Sequence, residues 1–190
     1  MPNVNNPTVL IVGIVLVIAA IAVAWLFTQR QRRAHLRERF GPEYDRTVQA
    51  VGTTGRAETV LEEREKRVSK YPIRSLAEPE RARFSDSWRK IQAKFVDDPA
   101  AAVTEADVLV NELMTTRGYP MQDFDRRVED LTVEHGNVVH HYRAAGEIAS
   151  RHARRAASTE ELRQALVHYR ELFADLLGER PNVPNVRRSA

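Results

Sequence analysis

Apolar residues are distributed along this chain in two ways. From Thr8 to Phe27 they run almost unbroken, TVLIVGIVLVIAAIAVAWLF, with no charged residue; beyond Phe27 they recur every three or four positions among charges. As a helix rising about 1.5 Å per residue, the first run reaches about 30 Å, the thickness of a bilayer's hydrocarbon core. Thirteen of its twenty residues are Val, Leu, Ile or Phe. On an insertion scale these contribute about −4 to −8 kcal/mol, so the run reads as a transmembrane helix over residues 8–27.

The spaced pattern predicts helices for the rest. An arginine-rich helix continues to Phe40, and Gly41-Pro42 bends the chain there. Phe40, Tyr44, Val48 and Val51 keep helical spacing across the joint. The segment 56–70 is strongly charged, with Glu62–Lys66 and Glu63–Arg67 at i,i+4, and is expected on the surface of the bundle or extending from it. Tyr71-Pro72 ends it. Phe84, Trp88, Ile91 and Phe95 then form the clearest amphipathic stripe of the chain. Asp98-Pro99 opens the next helix, whose face carries Ala102, Ala106, Leu109 and Leu113, and Gly118 closes it. A shorter helix carries Phe124, Val128 and Leu131, and another Val138, Tyr142 and Ala145. Ser158 with Glu161 makes a capping box for the last, with Leu162, Leu166, Tyr169, Phe173 and Leu176 on one face and Gly178 at its end.

No segment alternates like a strand. The fold class expected is all-α: one N-terminal transmembrane helix followed by an antiparallel helical bundle. The expected divisions are an extracytoplasmic N-terminus at 1–7, the span at 8–27 and a basic juxtamembrane helical linker at 28–52. A soluble helical domain at 53–178 and a disordered tail at 179–190 follow. The bundle core is expected from Phe84, Trp88, Ile91, Phe95, Leu109, Leu113, Tyr142, Leu166, Tyr169 and Phe173.

Charge decides what the soluble part can bind. Residues 28–40 hold Arg30, Arg32, Arg33, Arg37 and Arg39 against Glu38, a net +4, whereas the whole chain is +3, leaving −1 elsewhere. The basic excess belongs to a strip behind the apolar run. A nucleic-acid footprint needs a basic face on the domain itself, so no nucleic-acid partner is expected. Arginines beside a span stay cytoplasmic, so the short N-terminus is expected outside and the domain on the cytoplasmic side; the alternative is an extracytoplasmic domain. The same five arginines are the candidates for anionic headgroups. Ala22-Val23-Ala24 resembles a signal-peptidase site, but the first seven residues carry no basic n-region. Ala20 and Ala24 have the small-xxx-small spacing through which two anchors pack, a secondary expectation.

The search for chemistry ends mostly in exclusions. With no cysteine, disulfides and thiolates are absent. Six histidines are present (His35, His135, His140, His141, His152, His168), and no two stand at the i,i+3 or i,i+4 spacing that brings both to one metal ion. A site assembled between helices from His141, His152 and His168 is the one metal alternative. The paired acids Glu62-Glu63, Asp97-Asp98 and Glu160-Glu161 point in different directions on a helix, and the last two pairs suit helix starts. No phosphate loop and no Gly-x-Ser-x-Gly occurs. Hence no catalytic residue, cofactor or metal is expected.

Three stretches carry a family likeness: RERFGPEYDRTV (37–48), RFSDSWRKIQAKFVDDPAAAVTEADVLVNELMTTRGYP (83–120) and VVHHYRAAGEIA (138–149). They resemble a group of single-pass, membrane-anchored helical proteins of actinobacteria and other GC-rich bacteria. The resemblance implies a bacterial plasma membrane and an anchored helical domain, and transfers neither an activity nor a site residue. Glu78-Pro79 departs from it, since the group tends to carry Ser/Thr-Pro-Glu there. The functional expectation is a membrane-tethered, non-enzymatic binding or scaffold module. The alternative is an enzyme or small-ligand carrier with a site buried between helices.

Overall fold

A computed structural model describes residues 7–154 and 157–178. Residues 1–6 of the expected N-terminal segment at 1–7, and the expected tail at 179–190, lie outside the described residues. The described part holds eight helices and no strand: α1 (Pro7–Phe40), α2 (Pro42–Val51), α3 (Thr54–Val68), α4 (Glu78–Lys94), α5 (Pro99–Arg117), α6 (Phe124–His135), α7 (Val139–Arg154) and α8 (Thr159–Leu177).

The helix ends follow local chemistry. The Asp98 carboxylate accepts the Ala101 N–H at 3.0 Å, and Asp123 accepts that of Arg126 at 2.9 Å. At α8, Ser158 and Glu161 form the reciprocal capping box. At α4, where the sequence offers no capping side chain at Ala77, Glu80 reaches back to the Ala77 N–H at 2.9 Å. Gly118 ends α5 at φ 98, a left-handed conformation that suits glycine. A side chain there would also strike the backbone of the α3–α4 connection, since a Cβ would fall 2.3 Å from the Pro72 carbonyl oxygen.

Two apolar clusters hold the chain together. The larger joins α4 to α8, with Trp88 stacked on Phe173 at 4.7 Å and α8 packed against both α5 and α7. Eight of the ten expected core residues are buried in it; Phe95 and Leu166 are half-buried and pack against its edge. The smaller cluster unites Leu36, Phe40, Tyr44, Leu61, Val68 and Val133.

That second cluster corrects one expectation and decides between the alternatives of another. Residues 28–52 are not a linker: α1 runs unbroken from the apolar segment into it, and Leu36 and Phe40 are 0% exposed. Of the two placements expected for the charged helix α3, it takes the one on the bundle and does not extend from it. Ala57, Glu58, Leu61 and Val68 are buried, and α3 packs on α1, α2 and α6. The N-terminal half of α1 is the opposite case. Every side chain from Ile11 to Thr28 is exposed, and this helix is long and apolar enough to cross a membrane.

Candidate functional site

At the basic end of α1, the arginines meet α3. Glu58, Glu62 and Glu65 fall at i, i+4 and i+7 and therefore share one face of that helix. Arg32 forms a two-pronged pair with Glu62, Arg33 Nε lies 2.9 Å from Glu58, and Arg39 lies 3.1 Å from Glu65. His35 stands 3.3 Å from the same Glu65, and the Arg37 guanidinium lies 5.1 Å above the Tyr44 ring. Arg30 has no ion pair among the described residues. Glu58 is buried and also accepts the Tyr44 hydroxyl at 3.0 Å. Burial pushes the Tyr44 phenol up, and Glu58 adds to the rise. The five arginines thus divide, with three held by carboxylates of the domain itself.

The seam between the two clusters is ionic. Arg143 of α7 grips the buried Glu43 of α2 with two bonds of 2.7 Å. Arg67 reaches Asp130 at 2.7 Å, and Tyr71 donates to the other Asp130 oxygen at 2.9 Å. Arg64 lies between, 3.6 Å from both Glu43 and Glu129. The i,i+4 pairs expected within α3 are therefore displaced: Glu62 turns to Arg32 and Arg67 to Asp130. The buried Asp130 holds the Arg67 charge better than a solvated neighbour does, whereas the Arg32–Glu62 pair is exposed.

Two larger clefts, and a smaller one of about 580 Å³ between α4 and α8, open in the described surface. The larger of the two, about 800 Å³, lies among the ends of α1, α5, α6 and α8 and is lined by Arg39, Arg117, Glu134, His135 and Asp175, among others. Its polar groups mostly satisfy one another. Asp175 bonds the His135 Nδ1, Arg117 lies 3.3 Å from His135 Nε2 and donates to the Leu176 carbonyl at 3.2 Å, and Tyr119 donates to Glu134 at 2.8 Å. Arg117 acts here as a cationic cap on the C-terminal turn of α8.

The second cleft, about 630 Å³, lies between α5, α6, α7 and α8 and is lined by Asp107, Phe124, Arg127, Gly146, Glu147, Ala149, Ser150, Arg151, Arg154 and Tyr169. A polar cluster forms its floor. Tyr169 donates to Asp107 at 2.9 Å, the Asn111 amide donates to Asp107 at 3.2 Å, and Tyr142 donates to the Asn111 carbonyl oxygen at 3.2 Å. Burial raises both phenols, Tyr142 to about 12, and Arg127 opposes the rise in each. Phe124 lies over Gly146, where a Cβ would fall 2.5 Å from the ring. Sequence reasoning found Tyr142 and Tyr169 as core but missed this site. The available signal was Asp107 and Asn111, two polar residues at i,i+4 along the apolar helix α5.

The three-histidine alternative is not assembled. His141 and His168 meet with their Nδ1 atoms 2.9 Å apart, but His152 Nδ1 accepts the Ala157 N–H at 3.0 Å instead of joining them. No group of three metal-ligating side chains comes together among the described residues. Comparison with known protein families, with curated proteins and with solved structures finds no match to this chain.

Proposed function

We propose that this chain is a membrane-mounted binding module: a non-enzymatic helical domain held rigidly on the cytoplasmic face by its own anchor, with the cleft between α5 and α8 as its binding face. The observation that carries this reading is the complete burial of Leu36 and Phe40 at the end of the same helix that holds the apolar run. An anchor that ends inside a domain's core fixes that domain's height and attitude, as a flexible tether would not.

Depth along α1 refines the role of the arginines. At about 1.5 Å per residue, Arg30 stands about 4.5 Å beyond Phe27, within a headgroup layer of about 5–7 Å, while Arg37 and Arg39 stand about 15–18 Å beyond it. Arg30 is therefore the arginine assigned to anionic headgroups, Arg32 and Arg33 lie at the layer's outer edge, and Arg39 serves the α1–α3 contact. All five still favour the cytoplasmic orientation, because topology is set before the domain folds. The resemblance to anchored helical proteins of GC-rich bacteria agrees with a bacterial plasma membrane.

The reading is tested in membranes of the native host with a photoreactive residue at Ser150, on the rim of the cleft, or at Lys90, exposed on α4 and outside the clefts. A discrete adduct from Ser150 and none from Lys90 is expected. Equal labelling from both positions, or none from either, overturns it. A reporter fused after Ala190 tests orientation: fluorescence from a cytoplasm-only reporter is expected, and activity of an exported phosphatase overturns it.

The larger cleft supports an enzymatic second reading through one observation, the Asp175–His135 pair. A carboxylate that orients an imidazole is half of an acid–base site. Its other nitrogen faces the Arg117 guanidinium at 3.3 Å rather than open space, which is why this reading ranks second.

A further inference from the structure

We infer that the cleft between α5 and α8 binds a small organic anion, a phosphate monoester or carboxylate on an aromatic or otherwise apolar body. This rests on reading the domain as a binding module and names the class of ligand for that face. The charge balance of the cleft points to an anion. Its half-buried acid is already engaged, since Asp107 accepts from both Tyr169 and Asn111. Above this floor, the Arg127 Nε is buried and has no hydrogen-bond partner, while the guanidinium also bonds the Tyr142 side chain; no carboxylate among the described residues forms an ion pair with it. At the mouth, Arg154 bonds only the carbonyl and hydroxyl oxygens of Ser150, and Arg151 has a long 3.8 Å contact with Glu161. Glu147 is the one other acid in the lining, and it is exposed. Three guanidinium groups therefore line a space with two carboxylates, Asp107 and Glu147, and neither of these pairs with them; only Arg151 has an acid partner, the distant Glu161.

A guanidinium fork matches the oxygens of a carboxylate or phosphate two at a time, and a buried donor without an acceptor is stabilised by whatever supplies one. The wall supplies the rest of the specificity. Phe124 lies against Gly146, and with Ala149 beside it this side presents a ring and small aliphatic surface with no side chain projecting from Gly146. The opening of about 630 Å³ is of the size that encloses a small ligand. Oxyanion recognition at one end and an apolar face at the other select an amphipathic anion over inorganic phosphate.

The test uses the full chain in nanodiscs of neutral phosphatidylcholine, titrated calorimetrically with phenyl phosphate, with inorganic phosphate and phenol as its two halves. Saturable binding of one phenyl phosphate per chain is expected, with each half at least about tenfold weaker. Arg127→Gln is expected to weaken phenyl phosphate by about tenfold or more, and Arg151→Gln with Arg154→Gln by about threefold. The latter two positions are exposed, so the double variant stays informative if Arg127→Gln does not fold. The inference is overturned by any of three results: no saturable heat at millimolar phenyl phosphate, inorganic phosphate binding as tightly as phenyl phosphate, or wild-type affinity in the mouth variant. Should phenyl phosphate fail while Ser150 still yields a specific protein adduct, the anion assignment falls and the binding module stands. Loss of both removes both.

Discussion

Phe40→Ala separates a rooted anchor from a tethered one. Phe40 is the last residue of α1 and is 0% exposed, packed in the cluster that contains Leu36, Tyr44 and Leu61. Truncating a buried phenylalanine removes its transfer free energy and leaves a cavity, together costing about 3–5 kcal/mol. For a domain of this size, each kcal/mol lowers the melting temperature by about 2–4 °C, so a fall of about 6–20 °C follows. The assay is thermal unfolding of the full chain in nanodiscs, followed by circular dichroism. Val96→Ala, at a position 82% exposed, is the control and is expected to stay within about 0.5 kcal/mol of wild type. A Phe40→Ala melt indistinguishable from that of the control would refute the reasoning, because a linker residue outside the fold has no packing to lose.

Three further outcomes follow from the same structure. Glu43→Gln strips a carboxylate from Arg143 and Arg64 in the seam and is expected to cost about 3–5 kcal/mol in a denaturant melt, whereas Glu43→Leu with Arg143→Met returns to near wild type; equal losses in the two would refute the assignment. Gly118→Ala sets a Cβ against the Pro72 carbonyl at a left-handed φ and is expected to destabilise by more than about 1–2 kcal/mol, the cost of that φ alone; a neutral melt would show that the α5 end and the α3–α4 connection are not in contact. Glu80 is held at about 2, below the usual carboxylate range, by Arg74 first and then by the Ala77 N–H. Its lowered value means its stabilising effect is present above the ordinary carboxylate range and is lost as pH falls toward about 2. Glu80→Gln is therefore expected to be less stable than wild type at neutral pH, with the gap closing at pH 2, and a gap that does not change with pH would contradict this.

What the sequence discloses and what it hides divide along a physical line. Signals that act over a few residues were legible: the Asp98 and Ser158 caps, the left-handed glycines at 118 and 178, the stripe from Phe84 to Ile91, and the apolar run. Signals made by distant partners were not. Leu36 and Phe40 stand among five arginines, so their stretch reads as a solvated strip until Leu61, Val68 and Val133 arrive from elsewhere in the chain to cover them. Glu43 and Asp130 are buried because Arg143 and Arg67 come to them across 100 and 63 residues, and no local pattern encodes that. The floor of the cleft between α5 and α8 lay half in view. Asp107 interrupts an apolar helix, but its meaning depends on Tyr169, 62 residues away.

The unbroken course of α1 makes it a stiff lever of about 50 Å. Mounted as proposed in a bilayer thinner than its apolar run, such a rod would tilt to fit, and anything rooted in it would lean with it. A hinge at Phe27 would absorb that motion, but α1 has none. Under that reading bilayer thickness would act as an input, setting the direction in which the opening between α5 and α8 faces.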